Sequence, residues 1–498
     1  MRFRTGISII VGLLFSSGIY PARVDAGTLP LNTAIDIALE NNNKIRQYNE
    51  RFEQKRYAEK EALGNFFPTV KIQATYNHLN DPLQIDLEPI REAMIQIQSG
   101  NQVEFANTYS LLQGNSALTD AERGALYDQY YGQLDSAIPP FVDTFKNQDY
   151  RTASIQVTQP LFTGGKIIAA KRYATAELNT SKEELRQTEN GVIQDVINQY
   201  MNVLLLKNVV QTRIEALDGM TKHKENAQLL FNEGLIARYD LFRAKVAVSD
   251  AERALFDDQS NLSLAMIALK NTLGLDEDLE PEAVSDSLLY RLMDRNLGSF
   301  INQAELNQPV LQILNYKGVS AQQNYVAQRA DFFPTIAGFA KYEMVPEDLS
   351  SLEPRWVAGI QLNYTLFEGF KNKNRLQSAK HIKQEVTYLQ QDTKRQIDLW
   401  VEKSYRDLRN NETRYIKLKS DIALAKENLR LNEKRFETGL GTSLEVIDAN
   451  LSLQKSQIER LLSLHNYYQS MSSLYTAAGN PIQLLEFWNS EGVQNEAH

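Results

Sequence analysis

The sequence contains an internal duplication, and a chain that repeats itself folds as two copies of one supersecondary unit. Residues 156–274 align with residues 361–479 at a fixed shift of about 205 positions, and the alignment needs no gap. We assign a first structural repeat to 27–300, a second to 301–480, and a C-terminal tail to 481–498. Three unrelated domains, which the chain length alone would allow, are therefore not expected.

A second match between the two repeats locates an insertion. Asn65–Val70 returns as Asp331–Ile336, at a shift of about 266 positions. The two shifts differ because the first repeat carries about 60 extra residues, which we place at 79–150. The proline pair Pro139-Pro140 suits a loop, so we predict an outer loop that can be removed without loss of assembly.

Each repeat contains one very long helical segment. These segments run over 166–233 and 370–438 and have no internal proline, so each predicts a helix of roughly 100 Å at 1.5 Å per residue. Apolar residues recur at three- and four-residue spacing, as in a coiled coil. A glycine turn and a shorter helix follow, over 237–273 and 442–478.

A shorter helix also opens each repeat, over 33–63 and 302–330. Both helices end just before Phe-Phe-Pro, which occurs at 66–68 and 332–334, because proline cannot continue a helix. Together with the last helix of its repeat, the first helix matches the long one in length. We therefore expect the two shorter helices to stack end to end beside it.

Strands are predicted after each Phe-Phe-Pro. Apolar and polar residues alternate along Val70–Tyr76 and Trp356–Tyr364, the period of a strand with one apolar face. Each repeat thus reads helix, strand, strand, long helix, turn, helix, and the fold class is mainly α with a small β part. Four strands of about ten residues have the length to cross a membrane but cannot close a barrel, so several chains must share one.

The N-terminus and the composition bear on the cellular compartment. Residues 1–26 have two arginines, an apolar stretch of roughly 13 residues and a small-residue end, as in a cleaved signal peptide. The sequence has no cysteine, which removes disulfides, thiolate chemistry and the attachment site of a bacterial lipid anchor. Its net charge of −9 argues against nucleic acid as a partner.

No catalytic, metal or cofactor site is visible in the sequence. The five histidines lie far apart and lack the i, i+4 pairing of a metalloenzyme helix, so we interpret them as surface residues: His78, His223, His381, His465 and His498. Carboxylates are abundant, but on a solvated helix a charge run is usually a soluble face.

These features together resemble the TolC family of outer-membrane efflux and secretion ducts. The similarity covers nearly the whole chain after residue 26. It rests on Phe-Phe-Pro, on Gln159-Pro160-Leu161-Phe162-Thr163-Gly164-Gly165, on Arg435-Phe436-Glu437-Thr438-Gly439, and on Leu444-Glu445-Val446-Ile447-Asp448-Ala449. The insertion departs from the family pattern, in which this connection is short.

The resemblance implies an architecture and a function. Members are trimers whose twelve strands form one barrel in the outer membrane of a Gram-negative bacterium, with a long α-helical barrel in the periplasm. They are passive exit ducts of tripartite efflux pumps or type I secretion systems. Their partners are a periplasmic adaptor, an inner-membrane pump of the RND, ABC or MFS type, and outer-membrane lipid.

By the same resemblance, the two helix-turn-helix tips form the gated periplasmic end of the duct. The acidic residues that carry over to a cation-binding ring at the pore entrance are Asp240, Glu445 and Asp448. The residues of the turns, where adaptors dock, are Gly234, Leu235, Gly439, Leu440 and Gly441. The glycines suit positive φ. For Glu445 the sequence leaves an alternative open, because Thr442-Ser443-Leu444-Glu445 has the form of a capping box.

Two other functions compete with the duct. A periplasmic coiled-coil scaffold would have no use for membrane-length alternating strands that end in aromatic residues. An envelope enzyme would need a cluster of acid, base or metal ligands. The sequence does not identify the exported cargo or the class of pump.

Overall fold

The computed structural model describes residues 29–276, 284, 286–350 and 352–489. The predicted signal peptide and the last nine residues of the predicted tail lie outside this part of the chain. Among the described residues, no helix combines the length and the apolar character that crossing a membrane requires.

The elements of the first repeat are, in chain order, α1 (Leu31–Asn41), α2 (Asn43–Gly64), β1 (Thr69–His78), β2 (Leu83–Asp86), α3 (Glu88–Leu112), α4 (Asp120–Ala137), β3 (Val142–Lys146), β4 (Asp149–Phe162), α5 (Lys166–Asn232) and α6 (Arg238–Leu273). Those of the second are α7 (Leu297–Asn307), α8 (Pro309–Ala330), β5 (Thr335–Glu343), β6 (Trp356–Asn363), α9 (Lys371–Glu437), α10 (Ser443–Ala477) and α11 (Gln483–Asn489). A 3-10 turn, Pro346–Asp348, lies between β5 and β6.

The chain divides into two compact units that cut across the repeats. A helical unit takes the described residues up to Glu59, Arg172–Gln323, and the described residues from Ser378 onward. A sheet unit takes Lys60–Lys171 and Asn324–Gln377. Each unit contains segments of both repeats.

The main sheet of the sheet unit is antiparallel and has four strands in the order β1-β4-β5-β6. Each strand of an antiparallel sheet puts alternate residues on opposite faces. In the register, Thr69 is opposite Thr158 and Thr335 is opposite Asn363. Among the described strands, β1 and β6 each pair on one side only.

The insertion is not the loop that its proline pair suggested. Residues 79–150 contain a two-stranded ribbon, β2 and β3, and a helical hairpin, α3 and α4. The pair Pro139-Pro140 itself lies in the short connection between α4 and β3. The prediction of a loop was therefore wrong, because the helical periodicity of α3 decides the local structure there.

The two opening helices are each broken once, where single helices were predicted. The break at Asn42 places its side-chain amide 3.1 Å from the carbonyl of Thr272, near the end of α6. The break at Gln308 places its amide 3.1 Å and 2.9 Å from the carbonyls of Thr476 and Ala477, near the end of α10. Asn42 and Gln308 occupy equivalent positions, and both satisfy carbonyls that the end of a helix leaves without partners.

Two smaller boundaries also differ from prediction. The helix α9 begins at Lys371, not at residue 370, because Phe370 has a φ of 63° and cannot be its first residue. Within the predicted tail, Gln483–Asn489 form α11, in which Leu484 and Trp488 are buried. They join the main core of the helical unit, which also contains Tyr200, Tyr467 and Tyr475.

Candidate functional site

The first tip is the turn between α5 and α6, in the helical unit. Gly234 has a φ of 74°, and its N–H donates to the carbonyl of Phe231 at 3.0 Å. The N–H of Leu235 donates to the carbonyl of Leu230 at 2.9 Å. This is a Schellman motif, in which a left-handed glycine lets the last carbonyls of a helix be satisfied. Leu235 is 63% exposed.

The second tip, between α9 and α10, has the same turn. Gly439 also has a φ of 74°, and the N–H of Leu440 donates to the carbonyl of Arg435 at 2.8 Å. Leu440 is 76% exposed. The expectation for Gly441 was wrong, since its φ is not positive. A Cβ at Gly441 would lie 3.1 Å from the Cβ of Arg435, so a larger residue here would crowd the end of α9.

The two tips differ in how the second helix starts. In the second tip the Oγ of Thr442 accepts from the N–H of Glu445 at 3.3 Å, and the Glu445 carboxylate accepts from the N–H of Thr442 at 2.8 Å. This is a complete capping box. In the first tip the equivalent cap is Ala237, which makes no side-chain bond. Asp240 lies in the first turn of α6, at the position equivalent to Glu445.

The acidic candidates therefore have different surroundings. Glu445 is held by its cap and lies 3.7 Å from the guanidinium of Arg435. Asp448 is exposed on α10, and its carboxylate makes no ion pair within the described part of the chain. At the shift of 205 positions its equivalent in the first tip is Arg243. The second tip is thus the more acidic of the two.

A small apolar core joins the two tips. It contains Ala227 from α5, Leu241 and Ala244 from α6, Phe436 from α9 and Val446 from α10. Burying these side chains stabilises all four helix ends together. The two tips therefore share one packed core.

A buried histidine also links the repeats at this point. The Nε2 of His223, on α5, lies 2.8 Å from the Oγ of Ser443, the first residue of α10. Its ring centroid is 4.7 Å from that of Phe436. Burial lowers the pKa of His223 to about 4, because an apolar site disfavours the imidazolium. The sequence interpretation of His223 and His465 as surface residues was wrong, since both are buried.

Sequence reasoning missed an apolar groove beside the tips. The groove has a volume of about 500 Å³ and is lined by residues of α5, α6 and α10. Its exposed apolar lining includes Tyr239, Phe242, Val246, Leu444 and Leu451. Three of these continue from Leu235 at spacings of four, three and four residues along α6, and this helical period was the signal that would have revealed the groove.

The described residues contain no group of three or more histidine or carboxylate side chains arranged to hold a metal ion. The tips present instead two exposed leucines, Leu235 and Leu440, and the exposed carboxylate of Asp448.

Comparison with known proteins shows which family and which characterised proteins this chain is similar to. The model of the family described as outer membrane efflux protein matches residues 124–275 and 300–480. The chain is 25% identical over 329 residues to the protein CyaE of Bordetella pertussis, covering 64% of this chain and 68% of that protein. It is 21% identical over 343 residues to the outer membrane efflux protein BepC of Brucella suis, covering 66% and 73%.

A solved structure shares the fold. The outer membrane protein VceC of Vibrio cholerae superposes with a TM-score of 0.68 at 18% identity, over 90% of this chain and 96% of that one.

Proposed function

Because the chain belongs to the outer membrane efflux protein family, we propose that it is one protomer of a trimeric exit duct in the outer membrane. Three copies supply twelve strands, which close into one antiparallel barrel when β6 of each copy pairs with β1 of the next. The number three comes from the resemblance to the TolC family. The need to share a barrel comes from the two open edges of the sheet.

The observation that carries this proposal is the exposed apolar face of the edge strands. Val70, Ile72 and Tyr76 of β1 are 63–70% exposed. Trp356, Ile360 and Leu362 of β6 are 61–73% exposed, on alternate residues. A contiguous exposed apolar face of this kind indicates an interaction surface. Lipid on one face of a closed barrel supplies the partner for that surface, and the aromatic residues suit the interface.

We assign the helical unit to the periplasm and gating to the two tips. Gly234 and Gly439 set the turns, and Leu235, Leu440 and the groove beside them present apolar surface to a periplasmic adaptor. The adaptor connects the duct to an inner-membrane pump of the RND, ABC or MFS type. Asp448, assisted by Glu445 and Asp240, forms the cation-binding ring at the entrance.

The two competing functions have less support. A periplasmic scaffold has no need of an apolar outer face on β1 and β6. An enzyme is disfavoured because the family is one of transport ducts. Energy coupling and cargo choice belong to the pump, so the duct itself is passive.

The test uses two adjacent residues of β6. Ile360→Arg puts a charge on the proposed lipid face and is expected to cost roughly 2–4 kcal/mol near the bilayer midplane, reducing the trimer in the outer-membrane fraction. Gln361→Arg is the matched control on the proposed lumen face and should be tolerated. Cell fractionation and native mass measurement in detergent give the readout. Equal tolerance of both variants, or a wild-type protein recovered as a soluble monomer, would contradict the duct.

A further inference from the structure

The helix α3 of the insertion has two apolar faces, and only one of them is covered. Ile95 and Val103 are buried on the face that packs on α4. The opposite face carries a line of exposed side chains that we call the α3 stripe, consisting of Ile90, Met94, Ile97, Asn101, Phe105 and Leu112. Its five apolar members are between 52% and 80% exposed.

The α3 stripe has the spacing of a helix-packing surface. Ile90, Asn101 and Leu112 are eleven residues apart, and so are Met94 and Phe105. An eleven-residue repeat is 3.67 residues per turn, which keeps a stripe on one face over its whole length. A line of this length, roughly 33 Å at 1.5 Å per residue, matches another helix better than a compact patch.

The insertion is attached firmly to the sheet. The N–H of Leu79 donates to the carbonyl of Gln148 at 2.7 Å, so the ribbon of β2 and β3 continues the pairing of β1 and β4. At the base of the hairpin, the half-buried Arg91 donates to the carbonyls of Asp135 and Ile138 at 2.6 Å and 2.7 Å. The α3 stripe is therefore held at a fixed height above the strands.

The charge of the insertion argues against a lipid surface as its partner. Residues 79–150 contain eleven Asp and Glu but only three Lys and Arg. Arg123 pairs with Glu104 at 3.3 Å, Lys146 pairs with Glu353, and Arg91 pairs with Glu88 and Asp135. A helix that lies in an anionic membrane surface carries free Lys and Arg on its polar face. This segment would be repelled.

We propose that the α3 stripe is a contact between copies of this chain, in which three α3 helices pack in parallel about the three-fold axis at the outer mouth of the duct. The proposal rests on the trimeric duct proposed above. The insertion joins β1, which enters the sheet from α2, to β4, which leaves it toward α5. It therefore lies at the strand ends farthest along the chain from the helices.

The dimensions of the proposed duct fit this arrangement. Twelve strands about 4.8 Å apart and tilted by about 40° close on a diameter of roughly 24 Å. Three helices about 10 Å wide form a bundle roughly 20 Å across. Symmetry puts identical residues of the three copies at the same level. Asn101 then lies in the middle of the bundle, where a single polar layer fixes register and helix number.

The absence of cysteine from the natural sequence allows a clean test. Ile97→Cys and Phe105→Cys place one thiol per chain on the α3 stripe, and Gln129→Cys on the exposed side of α4 is the matched control. Purified trimers in detergent are oxidised and run on a non-reducing denaturing gel. We expect a dimer band from the two stripe variants, because one disulfide joins two of three thiols, and none from the control. Stripe thiols should also react at least tenfold more slowly with maleimide than the control thiol.

The outcomes separate this proposal from the duct itself. An intact trimer with no stripe disulfide, or with equal disulfide at Gln129→Cys, overturns the contact between copies and leaves the duct standing. Stripe thiols that are protected in cells but reactive in the purified trimer also overturn it, in favour of a different protein partner. Absence of a trimer in the native mass of the wild type overturns the proposed function as well.

Discussion

The two tips of this protein have the same backbone but different polar chemistry. Both turn on a left-handed glycine with a φ of 74° and the same pair of backbone hydrogen bonds. The second tip adds a capping box at Thr442 and an exposed Asp448. The first has Ala237 and Arg243 at the equivalent positions.

The difference between the two tips separates the features of the duplicated unit that the backbone needs from those that have diverged between the repeats. The turn is kept because two long antiparallel helices need it. The charges are not kept, so they are free to serve different purposes in the two tips. This makes the second tip the better place to look for the cation-binding ring, and it makes the first tip an internal control for every substitution made in the second.

The largest expected effect comes from removing the acidic residues that distinguish the second tip from the first, and the property affected is ion selectivity. Replacing Glu445 and Asp448 together by alanine should remove most of the cation preference and multivalent-cation block in planar-bilayer recordings. In the proposed trimer these two carboxylates would occur three times around one opening and would concentrate negative potential there. Asp448→Asn alone should give most of the loss, because Glu445 is already close to Arg435.

The first tip supplies the control for this experiment. Asp240→Asn should change selectivity less than Asp448→Asn, and Arg243→Asp should increase the cation preference by giving the first tip the acidic residue of the second. Unaltered selectivity and block in a well-assembled double variant would refute the ring and leave Glu445 as a structural cap.

The next largest effect is a pH dependence of the stability of the tips, which is caused by the buried His223. Its folded pKa of about 4 lies below the value of 6.5 of an ordinary histidine, so the unfolded tip binds a proton more readily than the folded one. Stability is therefore unaffected above about pH 6.5, falls as the pH drops from 6.5 to 4, and levels off below. This lowering of the pKa corresponds to a loss of at most about 3–4 kcal/mol.

Hydrogen exchange of the amides of residues 436–446 measures this loss locally. The readout must be local because His465, farther along α10, is also buried and has a lowered pKa for the same reason. His223→Gln is neutral at every pH and keeps a polar group near Ser443, so it should flatten the dependence at the tip. A pH dependence that persists unchanged in this variant would assign the effect to other groups.

A smaller and symmetric effect is expected from the turn glycines. Gly234→Ala and Gly439→Ala should each cost about 1–2 kcal/mol, because an L-residue is disfavoured at positive φ. A Cβ at either glycine would meet nothing within 4 Å, so the cost is conformational and equal in both tips. Thermal unfolding of the two variants measures it. A clearly larger loss in one tip would show that the turns are not equivalent.

Some features of the fold can be predicted from the sequence alone, and others depend on packing between distant parts of the chain. The long helices, the Phe-Phe-Pro helix ends and the glycine turns were predictable because each depends on residues near it in the chain. The breaks at Asn42 and Gln308 were not, since each serves the end of a helix more than 160 residues away. Gly441 and His223 were misread for a related reason, because close approach and burial depend on packing between helices.

For the acidic site at the second tip, the sequence likewise predicts the positions along the helix but not the tertiary contacts. The positions of Glu445 and Asp448 on one face of α10 followed from their spacing. The ion pair of Glu445 with Arg435 required the tertiary structure, and so did the groove, although the α6 half of its apolar lining has a readable helical period. The prediction for the insertion was wrong because its proline pair describes only the connection between α4 and β3, whereas helices fill most of the segment.

The smallest effect, and the most direct test of the difference between the tips, exchanges their helix caps. Thr442→Ala should destabilise the start of α10 by about 1 kcal/mol, because the N–H of Glu445 loses its acceptor. Ala237→Thr should stabilise the start of α6 by roughly 0.5–1 kcal/mol, since Asp240 already stands where a capping box needs an acidic partner. Local hydrogen exchange in the first turns of α6 and α10 measures both changes. Opposite signs in the two tips are expected with ion selectivity unchanged, because neither substitution alters a charge. If Thr442→Ala instead reduced cation preference as much as Asp448→Asn does, the cap itself would be positioning the ring, and Glu445 would serve both the helix start and the pore.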